Sequence, residues 1–435
     1  MRPFQLAIIA AVAASAAHAQ VAASPPASAQ TIAITGGTVF PVSSPRIERG
    51  TVLITAGRIT AVGANVTIPA GAERIDATGK WVTPGLINAA TNLGLTEGGS
   101  PQFSGGYNDT RATGVKGISA SFNAWEGINP VSTLIAPTRQ DGITTVLVGP
   151  AGGLIGGRAA FVDLAGPTVA SMVVRAPVAM VATFDATAGS LQSRGELIGA
   201  LRDLLTDART YAARRAAYEA NQTRTFAASK ADLEALQPVL AGTMPLVVGV
   251  DRESDIRSVL ALGRQFGLKL VLFGAAEAWQ LAAELKAANV PVMVGAMSNI
   301  PGSFNTLGMR QENAALLRAA GVNVTLIGNG PGDVTTFNVR NIRQEAGNAV
   351  AYGMTWDDAL RAITLAPAEV FGVADRIGSL QAGRAANVVV WSGDPFEFGT
   401  RAERVYIRGA LQTGRSRQDE LAERYRRLPP GFREP

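Results

Sequence analysis

The chain has 435 residues, of which 47% are hydrophobic, with 39 Lys and Arg against 34 Asp and Glu and a formal net charge of +5. This length allows one very large domain or two to three smaller ones. The positive charge forms no polybasic block within the body of the chain, so nucleic-acid binding is not expected. The absence of cysteine excludes disulfides and thiolate chemistry.

The first residues are typical of a secretory signal. Arg2 precedes an apolar run from about Phe4 to Ala17, and small residues flank His18 in Ala17-His18-Ala19. We therefore expect a signal peptide over residues 1–19, a linker over 20–30, and a mature protein in the periplasm or secreted. The apolar run is too short for a membrane span, and no later segment predicts one. Since His18 is the only histidine, the mature chain would contain no imidazole.

Short strand patterns occur near both ends of the chain. Alternating Val, Ile and Thr with Gly punctuation begin at Thr31, and the same texture returns from Gly378 to Gly414. The two segments predict one composite β-sandwich domain, built from residues 31–83 and 378–414. Residues 415–435 form a charged C-terminal tail with a helical start.

The middle of the chain, residues 84–377, alternates apolar runs with helical segments. The apolar runs favour parallel strands that are buried on both faces. Repeated strand–helix units of this length predict an α/β fold, a TIM-like (β/α)8 barrel, with a helical insertion at about 191–240. Ala159–Leu164 is compatible with a barrel strand or with a side hairpin. The candidate strands are WVTPGLI, GITTVLVG, AAFVDL, PVAMVATF, PLVVGV, KLVLFG, PVMVGA and NVTLIG.

Four stretches together resemble the amidohydrolase superfamily, in its imidazolonepropionase-like or dihydroorotase-like branch: GRITAVG, PAGAERIDATGKWVTPGLI, EAGNAVAYGMTWDDALRAITLAPAEVFGV and DRIGSLQAGRAANVVVWSGDP. The resemblance implies a barrel beside a β-sandwich and ancestral hydrolysis of carbon–nitrogen bonds. It also implies one or two divalent ions, held by a His-x-His pair, two further His, often a carboxylated Lys, and a late Asp. The ions activate water and polarise the scissile carbonyl.

This chain departs from the family's pattern at each of those places. Ala90 and Asn92 stand where the His-x-His pair is expected, and Asn88 replaces the acid before them. Since an amide is a weak neutral ligand and no base near pH 7, we expect a pocket without a metal cofactor. The five lysines are not placed for a carbamate. The other degenerate positions are Gly249, Gly274 or its neighbour Phe273, and Asn329, with Asp333 as an alternative late acid.

A site made only of carboxylates is the alternative. Glu97, Asp109, Asp251, Glu277 and Asp333 follow predicted strands, where barrels carry out chemistry, and oxygen ligands suit Mg²⁺, Ca²⁺ or Mn²⁺. Helix caps and loop acids are the more common role of such residues. The predicted ligand pocket therefore contains Asn88, Glu97, Asp251, Glu277 and Asp333.

The glycine-rich loops Gly149–Ala160 and Gly328–Asp333 lack the Lys-Ser/Thr ending of a P-loop, so tight turns are the simpler interpretation. We predict an exported, catalytically inactive family member that binds a small amide, peptide or cyclic metabolite. It would act alone, as a homo-oligomer, or as a hetero-oligomer with an intact amidohydrolase homologue. The competing hypothesis is an active hydrolase of carbon–nitrogen bonds, acting through the carboxylates.

Overall fold

A computed structural model describes residues 30–97, 106–184, 193–330 and 334–426. The predicted signal peptide, almost all of the linker, Asp333 and the last nine residues of the tail lie outside these ranges. Among the helices within them, none is both long and apolar enough to cross a membrane.

The secondary structure of the described residues follows in chain order. The strands are β1 (Thr31–Val39), β2 (Ile47–Thr55), β3 (Arg58–Gly63), β4 (Glu73–Asp76), β5 (Trp81–Pro84), β6 (Leu86–Thr91), β7 (Thr96–Glu97), β8 (Tyr107–Asn108), β9 (Ile143–Val148), β10 (Ile155–Asp163), β11 (Val173–Thr183), β12 (Leu246–Val250), β13 (Leu270–Gly274), β14 (Val292–Val294), β15 (Val324–Leu326), β16 (Val388–Trp391), β17 (Ala402–Ile407) and β18 (Ala410–Leu411). The helices are α1 (Ile135–Gln140), α2 (Val169–Met172), α3 (Arg194–Ala213), α4 (Arg215–Glu219), α5 (Lys230–Ala235), α6 (Gln237–Leu240), α7 (Glu253–Phe266), α8 (Ala282–Ala287), α9 (Asn313–Ala319), α10 (Ile342–Ala351), α11 (Trp356–Ala362), α12 (Leu365–Val370) and α13 (Arg417–Tyr425). Short 3-10 helices lie at Ala124–Gly127, Ala278–Leu281, Phe304–Thr306 and Phe337–Asn341.

Strands from the two ends of the chain share one sheet, which we call the end sheet. Its order is β18-β17-β16-β5-β1-β2-β3, and β4 pairs in parallel with β1. Val82 of β5 joins the two ends, because it pairs with Val39 on one side and with Val390 on the other. Alternate side chains of these strands bury a core of their own, in which Ile34, Val82 and Val390 are almost completely shielded.

The second large sheet is the barrel wall, with the order β15-β14-β13-β12-β11-β10-β9-β6. Each of its eight strands overlaps one of the eight apolar runs predicted from the sequence, and most are buried on both faces. The sheet curls into a nearly closed barrel. The predicted fold class, an α/β barrel beside a small sheet domain built from both chain ends, is confirmed.

Two details of the predicted strands are wrong. The run WVTPGLI is divided at Gly85, so that β5 belongs to the end sheet and only β6 to the barrel. Strand β10 runs antiparallel to both β9 and β11, so one wall of the barrel is not parallel. The reason is the length of the connection, since the six residues 149–154 are too few for a crossover between parallel strands.

Two glycines allow the barrel and the end sheet to approach closely. A Cβ atom at Gly85 would lie 2.1 Å from Oγ1 of Thr144, at the start of β9. At Gly142, which has a φ of +84°, a Cβ atom would lie 2.2 Å from the ring of Trp391. Trp391 is completely buried and donates its indole N–H to Oγ1 of Thr83, 2.8 Å away. The frame around Gly85 is therefore required by packing, whatever the chemistry of the site.

The predicted helical insertion contains α3, α4, α5 and α6. Ser193 caps α3 by accepting the backbone N–H of Glu196. The apolar residues at helical spacing, Leu197, Leu201, Leu205 and Ala208, are all buried, and they belong to the large barrel core. The insertion is thus an amphipathic layer on the barrel, as the spacing predicts.

Candidate functional site

A cavity of about 280 Å³ lies at the carboxyl ends of the barrel strands. Residues at or near the carboxyl ends of β6, β9, β11 and β12 form part of its wall, and Leu147, Val247 and Phe371 supply apolar surface. The described residues that line it are Ala89, Ala90, Thr91, Asn92, Leu147, Gly149, Pro150, Ala151, Gly152, Val181, Ala182, Thr183, Val247, Gly249, Phe273, Met293, Thr335 and Phe371.

None of these lining side chains is ionisable, and few of them are polar. Thr91 donates its hydroxyl to the carbonyl oxygen of Leu147 at 3.0 Å, and Asn92 donates Nδ2–H to the carbonyl oxygen of Gly149 at 2.8 Å. Within the described residues, the hydroxyl of Thr183 and the side-chain oxygen of Asn92 have no hydrogen-bond partner. Those two groups are therefore available to a ligand in the cavity.

Three of the five positions that the sequence predicts to be degenerate metal positions meet at this cavity. Ala90 and Asn92 stand at the end of β6, and Gly249 is near the end of β12. A Cβ atom at Gly249 would have no neighbour closer than 3.8 Å, so the space that a side chain would need is open. A side chain at position 249 would therefore have room on the cavity wall.

Gly274 lies on a second cavity, of about 180 Å³, next to the first. Its φ of +82° favours glycine, and a Cβ atom at this position would lie 2.8 Å from Oδ1 of Asp251. The second cavity is more polar, because Asp251, Asp255, Arg194 and Arg252 all line it. Among these, Arg194 and Asp255 form an ion pair with a nitrogen–oxygen distance of 3.2 Å.

Asn329, the predicted degenerate acid, lines neither cavity. Its side-chain oxygen accepts the backbone N–H groups of Met297 at 2.9 Å and Ser298 at 3.1 Å. Its Nδ2–H group donates to the carbonyl oxygen of Ser298 at 3.3 Å. The amide connects the end of β15 to the segment that follows β14, which is a structural role. Asp333, its alternative, lies outside the described ranges.

The predicted carboxylate pocket is not assembled by the residues that the structure describes. Asn88 is buried and donates to the carbonyl oxygen of Val339 at 3.1 Å. Glu97 accepts the hydroxyl of Ser132 at 2.6 Å and both the backbone N–H and the hydroxyl of Thr133. Glu277 binds the backbone N–H groups of Glu253 and Gly308, each at 2.8 Å.

Of the predicted set, Asn88, Glu97 and Glu277 line neither cavity. Their side chains already satisfy groups elsewhere, mostly backbone N–H and C=O. Asp251 is the described member that lines one of these two cavities. Nowhere in ranges 30–97, 106–184, 193–330 and 334–426 do three His, Cys, Asp or Glu side chains gather closely enough to hold a metal ion.

Glu345 was not predicted from the sequence as a site residue. It is 1% exposed, its Oε1 accepts the backbone N–H groups of Asn329 and Gly330, and its Oε2 accepts that of Ala296. Burial raises the pKa of this carboxyl, while the N–H donors oppose the increase. The sequence does contain a signal, since Glu345 shares the apolar face of α10 with Ile342 and Ala349 at helical spacing.

The chain is similar to known amidohydrolases in sequence and in fold. Residues 254–413 match the Amidohydrolase family. An imidazolonepropionase of Acidiphilium cryptum is 26% identical over 389 residues, which cover 81% of this chain and 89% of that protein. The crystal structure of an amidohydrolase from Thermotoga maritima matches with a TM-score of 0.79 and 27% identity, covering 88% of this chain and 100% of that one.

A local match has higher identity. Amidohydrolase tasK of Hapsidospora irregularis is 35% identical over 80 residues, which cover 18% of this chain and 8% of that protein. The chain thus spans less than a tenth of that relative, and the match compares only one segment of the two proteins.

Proposed function

We propose, from the premise that this chain belongs to the amidohydrolase superfamily, that it is a non-catalytic member that binds a small molecule in the strand-end cavity. The family indicates an ancestry in the hydrolysis of carbon–nitrogen bonds. Function depends on the residues of the site, and a shared fold does not transfer an activity by itself.

The observation that supports this proposal is the side-chain chemistry of Ala90, Asn92 and Gly249 on one cavity wall. A catalytic zinc site needs three protein ligands and an open position for water, and hydrolysis also needs a positioned base. A methyl group, a primary amide and a hydrogen atom supply neither strong ligands nor a base. Since the sequence contains no histidine after His18, no other imidazole can replace them.

The cavity fits a compact ligand with an apolar body. Ligand sites are typically apolar concave surfaces with a few polar groups that fix orientation. The hydroxyl of Thr183 and the side-chain oxygen of Asn92 are such groups, and both suit the N–H of an amide or a cyclic metabolite. Export to the periplasm is part of the same proposal and rests on the signal-like residues 1–19 alone. Association with an intact homologue is a further proposal.

The competing proposal, hydrolysis through carboxylates, has less support. Glu97 and Glu277 each hold backbone N–H groups, so recruiting either to a metal would break these hydrogen bonds. Asp251 remains the one described carboxylate of the predicted set that lines a cavity.

The test uses the mature protein, from Gln20 onwards, purified without added metal. We expect much less than one zinc per chain, and no hydrolysis of hydantoin, 2-pyrrolidinone or N-acetyl amino acids with added Mg²⁺, Mn²⁺ or Zn²⁺. Metal-dependent turnover that is lost with a chelator would overturn the proposal.

Binding is tested separately, by thermal stabilisation with the same cyclic amides. Ala90→Leu places a larger side chain on the cavity wall and should remove the stabilisation. Ala212→Leu, at an exposed position on α3, is the matched control and should keep it. Stabilisation that survives Ala90→Leu would place the binding site elsewhere.

A further inference from the structure

We infer that a separate polar cavity, near the amino end of β9, binds a tetrahedral oxyanion such as phosphate or sulfate, and that the bound anion holds the C-terminal helix α13 against the barrel. This site is distinct from the strand-end cavity, so the inference does not depend on the proposed function. It follows from one arginine, from free donors beside it, and from the exposed packing of α13.

The polar cavity has a volume of about 220 Å³ and lies between α1, β17 and the segment that leads to α13. Helix α1 ends at Gln140, just before β9 begins, so the polar cavity lies near the amino end of that strand. The strand-end cavity lies at the carboxyl ends. The polar cavity is smaller than the roughly 300–1,000 Å³ of typical small-molecule sites, so it suits a small ion with its hydration water.

Arg139 brings to this cavity a positive charge that no carboxylate on the described part of the chain neutralises. The residue is half-buried, and its guanidinium donates one hydrogen bond, to the carbonyl oxygen of Leu164 at 2.9 Å. Burial lowers the pKa of this guanidinium, which nevertheless stays protonated near neutral pH. A guanidinium has five N–H donors, and a partly buried charge without a partner is unfavourable. An anion in the cavity would supply both the acceptors and the opposite charge.

Further donors lie beside Arg139. A Cβ atom at Gly414 would lie 3.4 Å from Nη2 of Arg139, so the backbone at this position approaches the guanidinium closely. Among the described residues, no acceptor binds the backbone N–H groups of Thr413 and Gly414 or the hydroxyl of Thr413. Donors from α1 and from residues 413–414 thus belong to two separate segments of the cavity wall. A tetrahedral anion, with four oxygens, can accept from both at once.

The remaining charges near the cavity do not oppose an anion. Glu403 also lines the cavity, but its carboxylate forms an ion pair with Lys80. Since this pair is neutral as a whole, Arg139 leaves the cavity with a net positive charge. The cavity therefore favours an anion over a cation.

The anion would add a connection that α13 otherwise lacks. None of the nine residues of α13 is buried, so apolar packing contributes little to its position. Its first turn is attached through Gln140, which donates Nε2–H to Oδ2 of Asp419 at 3.0 Å. An anion bound by both Arg139 and residues 413–414 would connect α1 to the chain directly before α13. Binding should therefore make the docking of α13 more stable.

The experiment titrates inorganic phosphate and sulfate into the mature protein by calorimetry, in a chloride buffer of constant ionic strength. We expect saturable binding of one anion per chain. Hydrogen bonds to charged groups contribute about 1.5–3 kcal/mol, so Arg139→Gln should weaken binding about tenfold or more. Arg264→Gln is the matched control, because it removes the same charge from an exposed position on α7 and should not affect binding. Thr413→Val, at an exposed position, should weaken binding less and tests the site without changing its charge.

Glycerol 3-phosphate distinguishes a free ion from the phosphate group of an ester. Tighter binding of glycerol 3-phosphate than of phosphate would assign the site to phosphate esters, and weaker binding would assign it to free ions. Either result supports an oxyanion site. Absence of saturable binding by all three anions, or unchanged affinity in both Arg139→Gln and Thr413→Val, would overturn it.

The role of α13 is measured by hydrogen exchange of its backbone N–H groups. Phosphate should slow this exchange in the wild type and in Arg264→Gln, but not in Arg139→Gln. Phosphate binding that leaves the exchange of α13 unchanged would contradict the connection between the anion and the helix. Stabilisation by cyclic amides should be the same with and without phosphate, because the two cavities are separate.

Discussion

The side-chain oxygen of Asn329 lies 2.9 Å from the backbone nitrogen of Met297 and accepts its hydrogen. With Ser298 as a second donor, this one amide holds the segment after β14 against the end of β15. A residue that occupies the predicted place of a catalytic acid is thus engaged with the backbone. A Cβ atom at the neighbouring Gly295 would lie 2.0 Å from the Asn329 side chain, so the contact is closely packed.

We therefore predict that Asn329→Asp destabilises the protein and gives no hydrolysis. The new carboxylate can still accept the two N–H groups, but it loses the Nδ2–H donors and faces the carbonyl oxygen of Ser298. At this partly buried site, the lost hydrogen bond should cost about 0.5–1.5 kcal/mol in the free energy of unfolding, measured by urea denaturation. Asn289→Asp, on the surface, is the control and should change stability little. A gain of metal-dependent activity in Asn329→Asp would show that the acid position is functional.

The barrel could be predicted from the sequence because its strands are apolar on both faces and separated by helical patterns. The direction of β10 could not be predicted, because an apolar run has the same periodicity in a parallel and in an antiparallel strand. What decides the direction is the short connection from Gly149 to Leu154, together with hydrogen bonds to both neighbours. The sequence pattern likewise does not show that the run WVTPGLI is divided at Gly85, with β5 in the end sheet and β6 in the barrel.

The candidate site was predictable only in part, for a related reason. Ala90 is the last residue but one of β6 and Asn92 directly follows the strand, so their place on the cavity follows from the motif. Glu97 and Glu277 also follow strands, but their side chains turn to backbone N–H groups of distant segments. Such long-range hydrogen bonds have no local signature in the sequence.

A second prediction concerns Glu345, whose two oxygens bind backbone N–H groups from the ends of both β14 and β15. In Glu345→Gln, one acceptor oxygen becomes an NH₂ group that faces N–H donors. Because the site is buried, we expect a loss of about 1–3 kcal/mol in the free energy of unfolding. Glu284→Gln is the control: it breaks a half-exposed ion pair with Arg257, worth about 0–1 kcal/mol. Equal losses in the two variants would contradict the structural role of Glu345.

A third prediction concerns pH and Asp163, which is 2% exposed and accepts hydrogen bonds from Thr145 and Asn387. Burial raises the pKa of this carboxyl above its ordinary value of 3.8, although the hydrogen bonds and Arg408 oppose the shift. Between 3.8 and the raised pKa, the folded protein binds more protons than the unfolded chain. The contribution of Asp163 to stability therefore decreases as pH rises through that window, and is constant above it.

The measurement compares the wild type with Asp163→Asn by urea denaturation. The stability of the wild type relative to this variant should be greater at about pH 4 than at about pH 8, because only the wild type carries the titrating group. Asp375→Asn, at a side chain that is 72% exposed, is the control for general acid effects. A relative stability that increases towards pH 8 would mean that the pKa of Asp163 is lowered by folding.

The last prediction is that restored histidines bind metal without restoring hydrolysis. Ala90→His with Asn92→His supplies two ligands on one cavity wall, but it removes the hydrogen bond from Asn92 to Gly149. Two ligands should give only weak Zn²⁺ binding, since a catalytic site needs three. Adding Gly249→His should tighten it, because the Cβ position of Gly249 is open and faces the same cavity. Calorimetry with Zn²⁺ on the double and triple variants measures both steps, with Ala212→His on α3 as the surface control.

Neither variant should hydrolyse hydantoin or N-acetyl amino acids, because Asn329 is turned away from the cavity and no base replaces it. Substantial turnover in the double variant would instead mean that further ligands and a base already surround the cavity, and that the protein has kept most of a catalytic site.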